Sequence, residues 1–177
     1  STLTLEFVGG LLDLCDNPHA YDLGGGEGNK AIKMVDLARA VGRDMRVTVL
    51  DVLEEAVGLC QKKVAKLGLG SRISFACTNI LDIDPSKYPL ADGVHEYQCF
   101  NHVSRKHHET IAQIVARLVK PGGLFLTNAF NRNTRDFYGI DVSQLATGEI
   151  VGEDNISGMY CYFYTENELG DLYSPYF

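Results

Sequence analysis

Apolar positions along this chain follow two periods. Up to about residue 130, short apolar runs alternate with stretches in which apolar residues return at helical spacing. Thr2–Leu14 places Leu5, Val8, Leu11 and Leu12 on one helical face, and Asn17-Pro18 ends it. A strand over His19–Leu23 runs straight into Gly24-Gly25-Gly26-Glu27-Gly28. Ile32, Met34, Val35, Leu37, Ala38 and Val41 predict a helix closed by Gly42. A second strand covers 46–50 and ends at Asp51. A helix follows over about 53–67, with Gly68 and Gly70 as its stop. The third strand is 73–78, Pro85 and Pro89 mark a loop, and the fourth strand is 93–99. A helix over about 106–119 puts Ile111, Ile114, Val115 and Leu118 on one face. Lys120-Pro121-Gly122-Gly123 reads as a stop and turn before a fifth strand at 124–129.

Strands separated by helices predict an α/β fold: a doubly wound, mainly parallel sheet with right-handed crossovers and helices on both faces. Such sheets bind ligands beyond the carboxyl ends of their strands, where the strand order reverses. That rule points to the loops after the first and fourth strands. Beyond residue 130 the pattern changes. Residues 131–158 are polar with scattered aromatics, 159–164 are aromatic and strand-like, and Thr165-Glu166-Asn167-Glu168 is a capping-box sequence that predicts a short helix. The expected organisation is a single domain over 1–177, with an N-terminal helix (1–17), a core (18–130) and a substrate-side cap with a C-terminal segment (131–177).

Composition narrows the functional classes. With 16 Lys+Arg against 23 Asp+Glu the net charge is −7. That makes nucleic acid an unlikely partner, since phosphate contact needs a basic surface. Hydrophobic residues at 45% and charged residues at 22% exclude whole-chain disorder. No apolar run is long enough for a transmembrane helix. The first 16 residues have no basic flank and do not read as a signal peptide. Five cysteines (Cys15, Cys60, Cys77, Cys99, Cys161) contain no CxxC. They argue against a disulfide framework or metal site and for free thiols in a cytoplasmic protein. Homo-oligomerisation is left open.

A glycine turn between a strand and a helix lets backbone approach a ligand closely. The dinucleotide fingerprint G-x-G-x-x-G would need its third glycine at Asn29, and no Lys-Ser/Thr pair follows to make a phosphate loop. What stands is Asp22-x-Gly24-x-Gly26-x-Gly28. Asp51, at the end of the second strand, either accepts hydrogen bonds from an adenosine ribose or caps the following helix.

In this order the motifs resemble the class I, Rossmann-like S-adenosylmethionine-dependent methyltransferases, over about residues 18–130. Residues 22–28 look like the family's first motif, which packs on the methionine part of the cofactor. Asp51, with Val52 beside it, matches the acidic ribose-binding position. Asn79-Ile80 falls where the family places an acidic residue and its neighbour beside the adenine. Residues 92–103, which include Gln98, resemble the fourth-strand motif at the mouth of the active site. Residues 118–124 resemble the lead-in to strand five. The resemblance implies S-adenosylmethionine as cofactor and S-adenosylhomocysteine as product. It implies cofactor contacts from Asp22, Gly24, Gly25, Gly26, Gly28, Asp51, Val52, Asn79, Ile80 and Gln98. Within the family, the triple glycine, residues 47–57 and Phe100-Asn101-His102 look most like small-molecule O-methyltransferases. A histidine after strand four is the general base in that group, which implies this role for His102. Here Val103-Ser104 follows where the group has Asp-Trp. Family members also end in an antiparallel strand pair that is not visible in this sequence.

The chemistry suits these residues. Methyl transfer from a sulfonium is an in-line displacement that gains from alignment. A hydroxyl acceptor gains from a base such as histidine. Asp22 either attracts the cofactor's ammonium or bonds nearby backbone N–H groups. Asn79 either accepts from the adenine amino group or serves as a turn residue. Two alternatives remain at this point. One is an aminopropyltransferase resembling spermidine synthase, with Asp92 and Glu96 holding a polyamine. The other is a non-catalytic nucleoside-binding module. His95 reads as a packed residue and His107-His108 as a solvated helix face. Tyr97, Asn101, Asn128 and Asn131 are expected to border the site. Phe137, Tyr138, Tyr160, Tyr162 and Phe163 either line an acceptor pocket or pack in a core.

Overall fold

The computed structural model describes residues 2–151 and 160–177. Five strands form its centre: β1 (His19–Leu23), β2 (Arg46–Asp51), β3 (Ile73–Cys77), β4 (Ala91–Tyr97) and β5 (Val119–Asn128). They lie in the order β3-β2-β1-β4-β5, and every neighbouring pair is parallel. The order reverses between β1 and β4, as the alternation of strands and helices predicts.

Side chains alternate across this sheet and build two cores. On one face Ala20, Val47 and Val49 pack with α1 (Thr2–Leu14), α2 (Asn29–Ala40) and α3 (Glu54–Lys66). On the other, Tyr21, Leu23, Leu50 and Val94 pack with Ile111, Ile114, Val115 and Leu118 of α4 (His108–Leu118). α1 buries Thr4, Phe7, Val8 and Leu11, while Leu5 is exposed. The buried stripe is therefore rotated from the predicted one. Helix and strand come very close at this point: a Cβ on Gly93 would stand 2.8 Å from Phe7 and 2.9 Å from Leu11. Burying Phe7 and Leu11 is worth about 1.5–3 kcal/mol each.

The predicted turn at Lys120–Gly123 is instead a bulge within β5. Ala91 pairs with Val119 and Gly93 with Leu124, so the intervening residues are looped out of the ladder. Gly122 supplies a φ of 77°. Lys120 Nζ lies 2.6 Å from Asp92 Oδ1, and Asp92 Oδ2 accepts from the His19 backbone N–H at 2.8 Å. β4 begins at Ala91 and stops at Tyr97, because Gln98 turns to φ 61°. No α-helix links β3 to β4. Two 3₁₀ turns, Ile80–Asp82 and Pro85–Lys87, do so.

The predicted segments 131–158 and 159–164 fall partly on residues 152–159, which lie outside the described residues. In the rest, β6 (Glu149–Ile150) and β7 (Cys161–Tyr162) form a separate antiparallel pair, and among the described residues no strand joins the outer edge of β5. α5 (Glu166–Tyr173) starts at the predicted capping box: Thr165 accepts from Glu168 N–H and Glu168 from Thr165 N–H. Leu172 and Tyr173 pack it against the α4 side of the sheet.

His108 is buried and not on a solvated face. Its Nε2 donates to the Val103 carbonyl at 2.7 Å, so its Nδ1 accepts from Tyr164 O–H at 2.6 Å. Burial holds its pKa below the ordinary histidine value of about 6.5, against the Val103 hydrogen bond that favours the charged ring; Arg105 and His107 add to the lowering and Glu149 opposes it. The unfolded chain therefore takes up this proton more readily, and stability is lost as pH falls below about 6.5. Denaturant titrations between pH 7 and 5 should give a falling stability for the native chain. The slope should be shallower in His108→Gln, and an unchanged slope would remove His108 from the effect.

Candidate active site

The turn from β1 to α2 runs in a backbone conformation that ordinary side chains resist. Gly24, Gly26 and Gly28 have φ of 64°, 54° and 77°. A Cβ on Gly24 would collide with Cys99 Sγ, and one on Gly28 with Cys60 Sγ. Gly25 lies over the sheet: its Cβ would stand 2.7 Å from Val49 and 2.8 Å from Asp22 Oδ2. Lys63 ties the far side of the turn to α3, pairing with Glu27 and donating to Asn29 Oδ1 at 3.0 Å.

Asp51 closes the near side. Its Oδ2 accepts from Gly26 N–H at 2.8 Å and its Oδ1 from Leu53 N–H at 2.9 Å. The second bond is the capping role weighed for this residue. The first fastens the glycine turn to the end of β2, so one carboxylate performs both.

Beyond the carboxyl ends of β1, β2 and β4 lies a cavity of about 440 Å³. Gly24, Asp51, Val52, Asn79, Ile80, Gln98 and His102 all line it. Leu23, Leu50, Leu53, Ile83, Tyr97, Cys99 and Val103, which sequence reasoning did not assign to the cofactor, complete a largely apolar wall. For Leu23, Leu50 and Tyr97 the signal was placement at a strand end; the others come from the loops that follow. Burial pushes the Cys99 thiol up to about 12, with the Glu96, Asp51 and Asp22 charges adding to the effect. It is therefore a packing group and not a thiolate nucleophile. Asn79 Oδ1 accepts from Leu81 N–H at 3.0 Å, which is the turn-residue geometry, while the residue also borders the cavity. Asp22 lies beneath the glycine turn and outside the lining. A hollow of about 540 Å³ sits at the opposite, amino ends of the strands, among ion-paired Lys120, Asp92 and Arg72. It gathers none of the predicted cofactor contacts.

The loop after β4 is shaped from below by Glu96. This buried carboxylate accepts from Cys99 N–H at 2.6 Å, Phe100 N–H at 3.0 Å and Thr127 O–H. Desolvation pushes its pKa up, and those three donors oppose the rise. From above, residues 160–164 fasten the same loop. Asn101 Nδ2 donates to the Tyr162 carbonyl at 2.6 Å, Arg105 N–H to Tyr160 Oη at 3.0 Å, and His102 Nδ1 lies 3.0 Å from the Tyr160 carbonyl. A carbonyl only accepts, so His102 carries its proton on Nδ1 and leaves the Nε2 lone pair free.

Several expected groups are used elsewhere. Glu96 is committed to the loop and Asp92 sits at the far end of β4, so neither is available to hold a polyamine. Asn101 is buried, and Asn131 Oδ1 takes the Asn133 N–H. Phe163 stacks on Phe130 at 5.3 Å and meets Phe137 at 4.9 Å, in a small core with Val142, Ile150 and Cys161. Tyr162 is buried on α4, and Tyr138 is exposed. None of these five aromatics lines the cavity; the Tyr160 hydroxyl is bonded to Glu149.

A doubly wound parallel sheet with its cavity at the switch point places this protein among the α/β proteins that bind ligands beyond the strand ends. More specifically, it belongs to the methyltransferase domain family, whose profile matches residues 20–123. The chain is 24% identical over 127 residues to the ubiquinone/menaquinone biosynthesis C-methyltransferase UbiE of Rickettsia felis, covering 69% of this chain and 48% of that protein. The [4+2]-cyclase SpnF superposes with a TM-score of 0.69 at 18% identity, over 97% of this chain and 55% of SpnF. The S-adenosylmethionine-dependent methyltransferase SibL, in its apo form, gives 0.68 at 23% identity, over 99% and 48%. The chain thus spans about half the length of each of these relatives. At these identities the two structures establish the shared fold alone.

The glycine turn makes a graded prediction. Gly24→Ala adds left-handed strain and a collision with Cys99, about 2–4 kcal/mol together. Its melting temperature should fall by about 5–15 °C. Gly26→Ala meets no atom within 4 Å. It should lose only the backbone term, about 2–4 °C. Equal losses in thermal melts would contradict this account of the turn.

Proposed function

We propose that this chain binds S-adenosylmethionine in the switch-point cavity and transfers its methyl group to a small-molecule acceptor, a hydroxyl activated by His102. The observation that carries the reading is the shared cavity. Asp51 and Asn79-Ile80, against which a ribose and adenine would rest, line the same cavity as His102. Membership of the methyltransferase domain family supports the reaction class. The names of the relatives point the same way, two of the three being methyltransferases.

The proposed chemistry uses each group within its means. Ribose hydroxyls would take over the Asp51 carboxylate, which in their absence accepts from Gly26 and Leu53. The glycine turn would pass the methionine part of the cofactor without steric conflict. The lone pair on His102 Nε2 would take the acceptor's proton as the oxygen attacks the methyl carbon in line with the sulfur. The described residues of 131–177 would cap the acceptor side, since segment 160–164 already grips the loop that carries His102. A nucleoside-binding module that transfers no methyl group stays as a second reading, favoured by one observation: SpnF, with this fold, is named as a cyclase and not as a methyltransferase. The fold alone therefore does not prescribe methyl transfer.

S-adenosylhomocysteine at about 100 times its dissociation constant should stabilise the chain by about 2.7 kcal/mol, a rise of about 5–10 °C in melting temperature. No shift at saturation would sink the cofactor site. Asp51→Ala should weaken S-adenosylhomocysteine by about 10–100-fold in titration calorimetry, the worth of a charged hydrogen-bond pair. With a panel of small phenols and alcohols, His102→Ala should lower methyl transfer by about 10²–10⁴-fold while cofactor affinity stays within about twofold. Cofactor binding without transfer to any acceptor would favour the binding module.

A further inference from the structure

The sheet face that packs against α4 changes character along its strands. Toward the carboxyl ends it carries Tyr21, Leu23, Leu50 and Ala76, which join the α4 core. Toward the amino ends the same alternation puts His19 on β1, Arg46 and Thr48 on β2, and Ser74 on β3. The link from β3 to β4 supplies no α-helix to cover them. They line the hollow of about 540 Å³ at that end, together with Arg72 and Lys120. Two arginines, a lysine and a histidine thus meet in one place on a chain whose net charge is −7.

The carboxylates of the hollow are already engaged. Asp16 pairs with Arg43 at 2.8 Å. Asp92 pairs with Lys120 at 2.6 Å and accepts from the His19 N–H at 2.8 Å. Arg72 uses only its Nε, on Asp44 at 2.5 Å, which leaves its two terminal nitrogens. Among the described residues the Arg46 side chain makes no ion pair or hydrogen bond. The hydroxyls form a row: His19 Nε2 lies 2.9 Å from Thr48 Oγ1, which lies 2.9 Å from Ser74 Oγ. An acceptor beside Ser74 fixes the sense of this row. The ring N–H then donates to Thr48, Thr48 to Ser74, and the Ser74 O–H to the ligand. Burial pushes the His19 pKa down, and the Arg46 and Lys120 charges add to this against Asp92, as a net positive field requires.

We propose that this hollow is a second ligand site, which takes the phosphoryl group of a small molecule on Arg46, the terminal nitrogens of Arg72 and the Ser74 hydroxyl. A tetrahedral dianion fits these donors: guanidinium N–H groups match two of its oxygens and the hydroxyl a third. The volume is that of a small-molecule pocket, so there is room for what the phosphoryl group is attached to. The site lies across the sheet from the switch-point cavity and stands whether or not that cavity holds the proposed cofactor.

The test is titration calorimetry at low ionic strength with two probes, inorganic phosphate and glycerol 3-phosphate, which separate a free anion from a phosphorylated small molecule. Both should bind one to one. Arg46→Gln and Arg72→Gln should each weaken both probes by about tenfold or more, the worth of one charge-assisted contact. Arg46→Lys, which keeps the charge and loses the fork, should recover part of the loss. Because Arg46 is exposed, Arg46→Gln should melt within about 2 °C of the native chain. Asp51→Ala, at the other cavity, should leave phosphate binding unchanged. Native-like titration of Arg46→Gln would put the anion elsewhere and overturn the site, as would weakening by Asp51→Ala. No binding of either probe, or binding abolished by chloride at equal concentration, would also overturn it. Phosphate binding without glycerol 3-phosphate binding would overturn the assignment to a phosphorylated small molecule.

Discussion

The β1–α2 turn has to cross between Cys99 and Asp22, and that passage has no room for side chains. Left-handed backbone at Gly24, Gly26 and Gly28 is what lets it through. Because the turn is that tight, the Gly26 N–H reaches Asp51 at the end of the neighbouring strand, and Glu27 and Asn29 reach Lys63 on α3. The turn thus fixes the relative heights of β1, β2, α2 and α3 around one cavity mouth. With Gly24 in contact with the Cys99 side chain, it also sets where the loop after β4 begins.

That loop is the second half of the site, and it is held from two sides. Glu96 pulls its backbone down onto the sheet through Cys99 and Phe100, while residues 160–164 hold it from above through Asn101, His102 and Arg105. Gln98 between them sits at φ 61°, a conformation that costs a residue with a side chain about 1–2 kcal/mol. Strain of this kind persists only where surrounding contacts over-determine the backbone. The contacts of Glu96 below and Tyr160 and Tyr162 above supply that determination. His102 inherits its orientation from the same network, since the Tyr160 carbonyl fixes which ring nitrogen carries the proton.

The two ends of the sheet divide labour. At the amino ends, Asp92 joins Lys120 to the start of β1 and anchors the bulge in β5. At the carboxyl ends, charged groups are turned toward the glycine turn, the cavity or the loop after β4. Asp92 and Glu96, four residues apart on one strand, therefore have unrelated work. Parallel pairing makes this division possible, because it gathers all strand ends of one polarity on one side.

Local rules reached β1 to β5, the strand-like stretch that holds β7, α1 to α5 and the glycine turn, but not β6, because each of those has a short-range cause: apolar periodicity, capping residues, or backbone that only glycine tolerates. They also reached Gly24, Asp51, Val52, Asn79, Ile80, Gln98 and His102 as neighbours, since alternation implies a parallel sheet whose carboxyl strand ends gather on one side, and the family resemblance placed these residues there. Tertiary structure decided what depends on distant partners. Lys120–Gly123 is a bulge and not a turn because, across the sheet, Asp92 pairs with Lys120 while Ala91 and Gly93 hold Val119 and Leu124 on either side of it. His108 is buried because Tyr164, far along the chain, supplies its missing donor. Phe137 and Phe163 fill a core of their own because they find Phe130. Asp22 keeps one oxygen free because His95, on another strand, takes only the other. A side chain's pattern along the chain determines which element it joins. Its hydrogen bonds are settled by groups brought near only when the sheet closes, and those bonds carry the chemistry.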